Sequence, residues 1–159
     1  MLSNLSIERL RQVHPELARR INNLVDALES EGIIIEIDTA LRTPAEQDNL
    51  YAIGRTVPGT KVTHAKGFQS NHVIGCAVDV SPVDPILNRA DWNATHPSWQ
   101  RIVALAPAHG LRDGKSWHDL PHLELAEIPT EPTPEIQELC RVGGVQAVWD
   151  QLAIDEFSS

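Results

Sequence analysis

Two short clusters of histidine and carboxylate residues restrict the fold of this chain more than any other feature of its sequence. The first contains His72 and Asp79, seven positions apart, with Gly75 between them. The second contains Asp119 and His122. Imidazole nitrogen and carboxylate oxygen are ligands that zinc prefers, and a catalytic zinc site takes three protein ligands and leaves a fourth position for water. A glycine lets the backbone turn so that both ligands of the first cluster face one point. The fold also has to bring the second cluster to the point that His72 and Asp79 face.

A simpler interpretation exists for the first cluster taken alone. An exposed histidine in a loop and an aspartate that caps a turn would account for it without any ligand. The two clusters together favour a metal site, because they supply three ligands and one further carboxylate that is free to act as a base. That is the set of groups that a hydrolytic zinc site requires.

The composition is that of a globular protein with one core. The chain has 159 residues, of which 42% are hydrophobic and 22% charged, so we expect a single compact domain. A net charge of -9 without a basic cluster argues against nucleic-acid binding. Cys76 and Cys140 lack the C-x-x-C spacing of a zinc site. The start lacks the apolar core of a secretion signal, so we expect synthesis in the cytoplasm and no membrane insertion.

The first half of the sequence predicts helices around one strand. The first 30 residues have helical periodicity, with Ser6 as the candidate N-cap and Pro15 in the first turn of a helix. The β-branched run at 33–37 follows a glycine and predicts a strand. A capping-box pattern then predicts a helix over 44–51. Residues 56–69 lack periodicity and predict a long ordered loop.

The second half predicts two more strands and a helix between them. Residues 76–80 alternate as a strand does and are expected to end at Ser81-Pro82, and residues 97–109 predict a helix. In the strand predicted at 117–125, alternation separates two faces. One face would carry His118, Leu120, His122 and Glu124, and the other Asp119, Leu123 and Leu125. Pro121 favours an edge strand or a bulge over a central strand.

The proline-rich segment 129–134 predicts a connector to a C-terminal helix interrupted at 143–144. We therefore divide the chain into a main domain, residues 1–128, and a helical extension, residues 129–159. About 30 residues are too few for a separate core, so we expect the extension to pack on the main domain.

The pattern S-x-H-x-x-G-x-A-x-D, which begins at Ser70, is followed downstream by D-x-P-H. This combination resembles the zinc peptidase family of D-Ala-D-Ala carboxypeptidases, D-Ala-D-Ala dipeptidases and phage-type L-alanyl-D-glutamate endopeptidases. The likeness covers roughly residues 6 to 126 and includes the segments 41–43 and 54–56. The family resemblance implies an α+β fold of the Hedgehog/D-Ala-D-Ala peptidase type. A small, mostly antiparallel sheet would carry the zinc site, with helices packed on it.

The resemblance also implies a role for each of five residues. His72, Asp79 and His122 would bind one Zn2+ ion, and Asp119 would be the general base. Arg42 would stabilise the negative charge of the tetrahedral intermediate. Carboxypeptidases and dipeptidases of the family usually carry Glu at the general-base position, whereas Asp119 resembles the endolysin branch.

Three further residues are candidates for contact with a peptidoglycan stem peptide. Ser70 would bind the substrate or position its own loop. Gln47 and Tyr51 lie one helical turn apart and would line the same cleft, although ordinary packing also explains both. We expect the protein to act as a monomer.

The function that the resemblance implies is that of a zinc-dependent peptidoglycan endopeptidase, or endolysin. It would hydrolyse the L-Ala-D-Glu bond of stem peptides and lyse bacterial cell walls. A phage enzyme released through a holin and a delivered antibacterial toxin would share this sequence pattern. Two alternatives stay open, a D-Ala-D-Ala carboxypeptidase or dipeptidase and a non-enzymatic zinc-fold protein that binds the wall.

Overall fold

The computed structural model describes residues 1–157 as helices packed around one sheet. The helices are α1 (Asn4–Leu10), α2 (Pro15–Ser30), α3 (Pro44–Ala52), α4 (Pro97–Leu105) and α5 (Pro134–Leu152). The strands are β1 (Ile35–Thr39), β2 (Ala77–Asp84), β3 (Arg89–Ala90), β4 (Leu111–Gly114) and β5 (Asp119–Leu125). Within the described range, no helix is both long enough and apolar enough to cross a bilayer.

The strands pair antiparallel in the order β1-β2-β5-β4, and β3 pairs with the far end of β2. The register of β2 and β5 sets Asp79 opposite His122. The predicted fold class, α+β with a small antiparallel sheet, is confirmed. Neither β3 nor β4 was predicted, because both are too short to show a periodic pattern.

The two faces of the sheet differ in chemistry. One face is apolar and belongs to the main core, with Ile35, Ile37, Val78, Leu123 and Leu125. Leu17, Ile21 and Leu24 of α2 and Trp99 and Ile102 of α4 lie in the same core cluster. Because strand side chains alternate between faces, the intervening residues Asp79, His122 and Glu124 lie on the opposite face. The helices therefore bury one face and leave the polar face for the candidate site.

The helical region predicted over the first 30 residues is divided into α1 and α2. Ser3 caps α1, since its side chain accepts a hydrogen bond from the Ser6 amide. The prediction of Ser6 as N-cap is therefore wrong, and Ser6 is instead buried against β1. Pro15 begins α2 as predicted, and the His14 side chain caps it. The division follows from Pro15, which has no N–H to continue a preceding helix.

The predicted end of a strand at Ser81-Pro82 is also wrong, because β2 continues to Asp84. Val83 N donates to Ile34 O at 2.8 Å, so the backbone of Pro82, one residue earlier, points away from β1. On that other side Pro82 O accepts from Asp91 N at 2.7 Å, next to the pairing of β2 with β3. Pro82 has no N–H to return to Asp91 O, and that carbonyl accepts instead from the Trp99 indole N–H at 3.2 Å.

Helix α5 packs behind the loop that carries His72. The Trp149 indole N–H donates to Ile74 O at 2.8 Å. Gly75 lies so close that an added Cβ would be 2.8 Å from Trp149 Cζ2. Gly144, with φ 75, interrupts α5 where the sequence predicted. The C-terminal helix thus supports the backbone of the loop between His72 and β2.

We expect Gly75→Ala to destabilise the protein more than the matched control Gly32→Ala. Both glycines have positive φ, +70 and +77, so alanine carries a similar backbone cost at either position. At Gly32 the added methyl group would have no atom of residues 1–157 within 4 Å. At Gly75 it would meet Trp149, and such overpacking costs about 1–3 kcal/mol. Urea unfolding with a chelator present measures the difference, and equal midpoints would contradict the contact.

Candidate metal centre

Three side chains from two segments meet on the polar face of the sheet. Asp79 in β2 faces His122 in β5, and His72 lies in the loop before β2. One ligand atom from each lies within 4.8 Å of the other two. Asp79 Oδ1 is 3.2 Å from His72 Nε2 and 3.6 Å from His122 Nδ1. Two imidazoles and a carboxylate gathered in this way have the donor chemistry of a catalytic zinc site, so these residues could hold a single zinc ion.

Backbone contacts hold the loop that carries His72. Arg42 N donates to His72 O at 3.1 Å, and Gly75 N donates to the same carbonyl at 3.2 Å. Ser70 is half-buried, and its hydroxyl oxygen accepts from His72 N at 3.2 Å. The positive φ of Gly75 then turns the chain into β2. The predicted turn at Gly75 thus lies between the first two candidate ligands.

Each imidazole is bound at the nitrogen that faces away from the cluster. His72 Nδ1 lies 3.0 Å from Ala40 O. A carbonyl oxygen only accepts hydrogen bonds, so Nδ1 carries the hydrogen and Nε2 presents its lone pair to the cluster. His122 Nε2 lies 2.9 Å from Glu124 Oε2, which leaves His122 Nδ1 free on the cluster side. Such outer partners orient metal-binding histidines.

Glu124 also belongs to this arrangement, and the sequence pattern assigned it no role. It is buried, and its carboxylate interacts with His122, Asn71 and Arg112. Burial would raise the pKa of Glu124, but the hydrogen bonds from His122 and its other partners lower it. The signal that could have found Glu124 is its position two residues after His122, on the same face of the predicted strand.

The electrostatics of the cluster favour a cation at its centre. Burial would raise the pKa of Asp79, but the imidazoles of His72 and His122 hold it well below its usual range. Burial would lower the pKa of His122, but hydrogen bonds to Asp79 and Glu124 raise it to about 9. Positive charge beside Asp79 is therefore stabilised by the surrounding protein.

Asp119 lies beside the cluster, and a bulge brings it there. Its Oδ2 atom is 3.7 Å from His122 Nδ1, and 48% of its side chain is exposed. Simple alternation put Asp119 on the opposite face from His122, and that prediction is wrong. β4 pairs Asp113 with Leu123 but the next residue, Gly114, with Asp119, so 120–122 form a bulge, as Pro121 had suggested.

Burial and the nearby negative charge of Asp79 raise the pKa of Asp119. A carboxylate with a raised pKa and an exposed edge is suited to accept and return a proton. Gly114 permits the close approach of β4, because an added Cβ would collide with the backbone oxygen of Asp119.

Arg42 lies at the edge of the cluster with only 13% of its side chain exposed. Its Nη2 atom is 3.6 Å from Asp79 Oδ2, and its Nη1 donates to Gln47 Oε1 at 2.7 Å. Gln47 is fully buried, and its Nε2 donates to Ala65 O at 2.7 Å. The amide of Gln47 therefore holds Arg42 and has no exposed surface for the predicted direct contact with a substrate.

Tyr51 is half-buried, one turn along α3 from Gln47. The guanidinium carbon of Arg55 lies 3.7 Å from the centre of the Tyr51 ring. Arg55 Nη1 also donates to Tyr51 O at 2.6 Å. The structure thus brings His72, Asp79, His122, Asp119 and Arg42 together, while Tyr51 contacts Arg55.

Comparison with known proteins finds relatives of this chain. A protein family described as D-alanyl-D-alanine carboxypeptidase, Peptidase M15_4, matches residues 63–125. The chain is 32% identical over 127 residues to the peptidoglycan L-alanyl-D-glutamate endopeptidase CwlK of Bacillus subtilis (strain 168). That match covers 71% of this chain and 73% of CwlK.

Two solved structures have the same fold. The L-Ala D-Glu endopeptidase ChiX of Serratia marcescens superposes with a TM-score of 0.60 at 24% identity, over 79% of this chain and 90% of ChiX. A mutant of the vancomycin-resistance D,D-pentapeptidase VanY in complex with Zn(II) superposes with a TM-score of 0.54 at 16% identity. The superposition covers 88% of this chain and 83% of VanY. These likenesses support the fold, and the identity to CwlK over most of both sequences shows that the chain belongs to the M15 family of peptidases.

Proposed function

We propose that this protein is a zinc-dependent endopeptidase that hydrolyses the L-Ala-D-Glu bond of peptidoglycan stem peptides. The observation that carries the proposal is the cluster of His72, Asp79 and His122 with the half-exposed Asp119 beside it. The name of the relative CwlK supports the choice of bond. So does an aspartate in the general-base position, which resembles the endopeptidase branch of the family.

His72 Nε2, His122 Nδ1 and an oxygen of Asp79 would hold the zinc ion. A zinc ion held by such ligands lowers the pKa of a bound water toward about 7 and makes hydroxide available at neutral pH. The burial of both histidines restricts solvent on the protein side, while the exposed edges of Asp79 and Asp119 leave the opposite side open to a substrate.

Asp119 would move the proton. Its carboxylate would accept the proton of the attacking water at Oδ2 and deliver it to the leaving amine nitrogen. The distance of 3.7 Å between Asp119 Oδ2 and His122 Nδ1 supports this role. The bulge at 120–122 is what turns Asp119 toward the cluster.

Arg42 would stabilise the oxygen of the scissile carbonyl as negative charge develops there. Preorganised donors of this kind contribute a few kcal/mol to lowering a barrier, commonly about 3–4. Gln47 fixes one side of the guanidinium, so we assign Gln47 the task of positioning Arg42. Ser70 and Tyr51, each half-buried, remain proposed substrate contacts.

The charge distribution is compatible with an anionic wall polymer despite the net charge of -9. Residues 49–78 contain no Asp or Glu, and they contribute Arg55, Lys61 and Lys66. Hydrogen bonds from Gln47 to Ala65 O connect this stretch to the residue that holds Arg42. This stretch is thus cationic, although the site itself contains the carboxylates of Asp79, Asp119 and Glu124.

We also propose that residues 1–128 form the catalytic domain and that the extension 129–159 belongs to the same folded unit. The indole contact of Trp149 with Ile74 O and the burial of Val148 support this division. Residues 158 and 159 lie outside the described range.

We expect Asp119→Asn to retain zinc and to lose hydrolysis. Asparagine preserves shape but cannot take up the proton, so kcat should fall by about 100- to 10,000-fold. Asp150→Asn, an exposed change on α5, is the control and should keep full activity. Zinc content by elemental analysis and rates of muropeptide cleavage are the measurements. Undiminished hydrolysis would remove Asp119 from the mechanism, and wild-type protein that binds walls without cleaving them would support a non-enzymatic role.

A second candidate function keeps the same chemistry and changes the bond. The family that matches residues 63–125 is described as D-alanyl-D-alanine carboxypeptidase. Removal of terminal D-Ala would use the same metal ligands and the same general base. The two functions differ only in which part of the stem peptide reaches the site.

The new termini of digested muropeptides distinguish these two functions. Cleavage at the proposed bond is expected to produce peptides with a new N-terminal D-Glu, which mass spectrometry after amine labelling identifies. Free D-Ala should not increase above its level in a digest by the Asp119→Asn variant. Release of free D-Ala without a new D-Glu terminus would overturn the bond assignment and leave the peptidase assignment intact.

We propose that this hydrolysis leads to wall lysis, because stem peptides carry the cross-links of peptidoglycan. Purified protein should lower the turbidity of outer-membrane-permeabilised bacteria. A zinc chelator should abolish the effect and added zinc should restore it, since the nucleophile depends on the metal. Turbidity loss that persists in chelator would contradict the metal requirement. Origin as a phage enzyme released through a holin, or as a delivered toxin, stays a prediction.

A further inference from the structure

Glu124 is a buried carboxylate whose two oxygens both accept hydrogen bonds. Only 1% of the residue is exposed. Oε1 accepts from Arg112 Nε at 2.8 Å and from Arg112 Nη2 at 2.5 Å. Oε2 accepts from Asn71 Nδ2 at 2.7 Å and lies 2.9 Å from His122 Nε2. Each oxygen therefore takes part in two hydrogen bonds, as expected of a buried acid whose polar atoms are satisfied.

Arg112 and Asn71 present only N–H donors to this carboxylate, so its oxygens act as hydrogen-bond acceptors. His122 Nε2 must therefore carry the ring hydrogen that points at Glu124. In a neutral ring, the form that binds a metal, the lone pair then belongs to Nδ1, which lies 3.6 Å from Asp79 Oδ1. The alternative tautomer would place two acceptors face to face at 2.9 Å and would put the hydrogen where a metal has to bind.

The same oxygen also connects the two segments that carry the candidate ligands. Asn71 immediately precedes His72 and donates to Glu124 Oε2. His122 lies in β5 and meets the same atom. One carboxylate oxygen thus links the loop of His72 to the strand of His122, behind both imidazoles.

We propose that Glu124 is a positioning residue that selects the Nε2–H tautomer of His122 and thereby makes Nδ1 the metal-binding atom. The proposal rests on the proposed function only in that His122 is a metal ligand. Arg112 fixes the orientation of the carboxylate by donating to Glu124 Oε1, and its Nη2 also donates to Ile128 O at 2.7 Å. Partners of this kind change metal affinity by about 10- to 100-fold when they are removed.

A purely structural ion pair between Glu124 and Arg112 is the competing explanation. It would affect stability and leave the preference for a metal unchanged. Glu127 offers a matched control, because it forms a forked pair with the buried Arg20 at 2.6 and 2.7 Å. Within residues 1–157, the side chain of Glu127 pairs with Arg20 and forms no hydrogen bond or ion pair with a histidine of the cluster.

The test compares zinc dissociation constants of Glu124→Gln, Glu127→Gln and wild type by competition with a chromogenic chelator. We expect Glu124→Gln to bind zinc about 10- to 100-fold more weakly. Glu127→Gln should lower the unfolding midpoint of the metal-free protein and leave the zinc dissociation constant unchanged. Zinc binding by Glu124→Gln within threefold of wild type would overturn the proposal, as would an equal loss in Glu127→Gln.

A second measurement on the wild-type protein does not depend on the folding of any variant. In protein labelled with 15N-histidine and loaded with 113Cd, we expect cadmium coupling to His122 Nδ1 and a ring hydrogen on His122 Nε2. Coupling to His122 Nε2 would overturn the proposal. Metal binding that is unchanged in His122→Ala would instead show that the proposed metal site itself is wrong. These readouts require no peptidase activity.

Discussion

The pairing of β2 with β5 is the contact on which the rest of the site depends. It sets Asp79 directly opposite His122, and side chains opposite each other in an antiparallel pair stand about 4.5–5.5 Å apart at Cβ. A shift of one residue would turn one of them to the apolar face, where Val78 and Leu123 belong to the core. The burial of those two apolar residues therefore also fixes the register that gathers the ligands.

A second layer of contacts orders the candidate metal ligands. The ring nitrogens that face away from the cluster meet Ala40 O and Glu124, so the opposite nitrogens present their lone pairs. Gln47 holds Arg42 in the same way. Because these partners are buried, the donor groups are ordered before a metal or a substrate arrives, and little reorganisation is needed.

Proteins that share this fold are named as peptidases that cleave different bonds. ChiX is named an L-Ala D-Glu endopeptidase and VanY a D,D-pentapeptidase, and this chain shares 24% and 16% identity with them. A shared fold therefore does not choose the bond. That choice must depend on side chains around the cleft, where this chain has an acid-free stretch at 49–78.

Sequence alone determined which residues could act and most of the elements that carry them. The donor types and spacing indicated His72, Asp79 and His122, and a capping box predicted α3, because both signals are local in the chain. Only the tertiary structure decided the face of Asp119, which depends on a bulge against β4. The same holds for the burial of Gln47 and the contacts of Glu124. Those features arise between segments far apart in sequence, where periodicity carries no information.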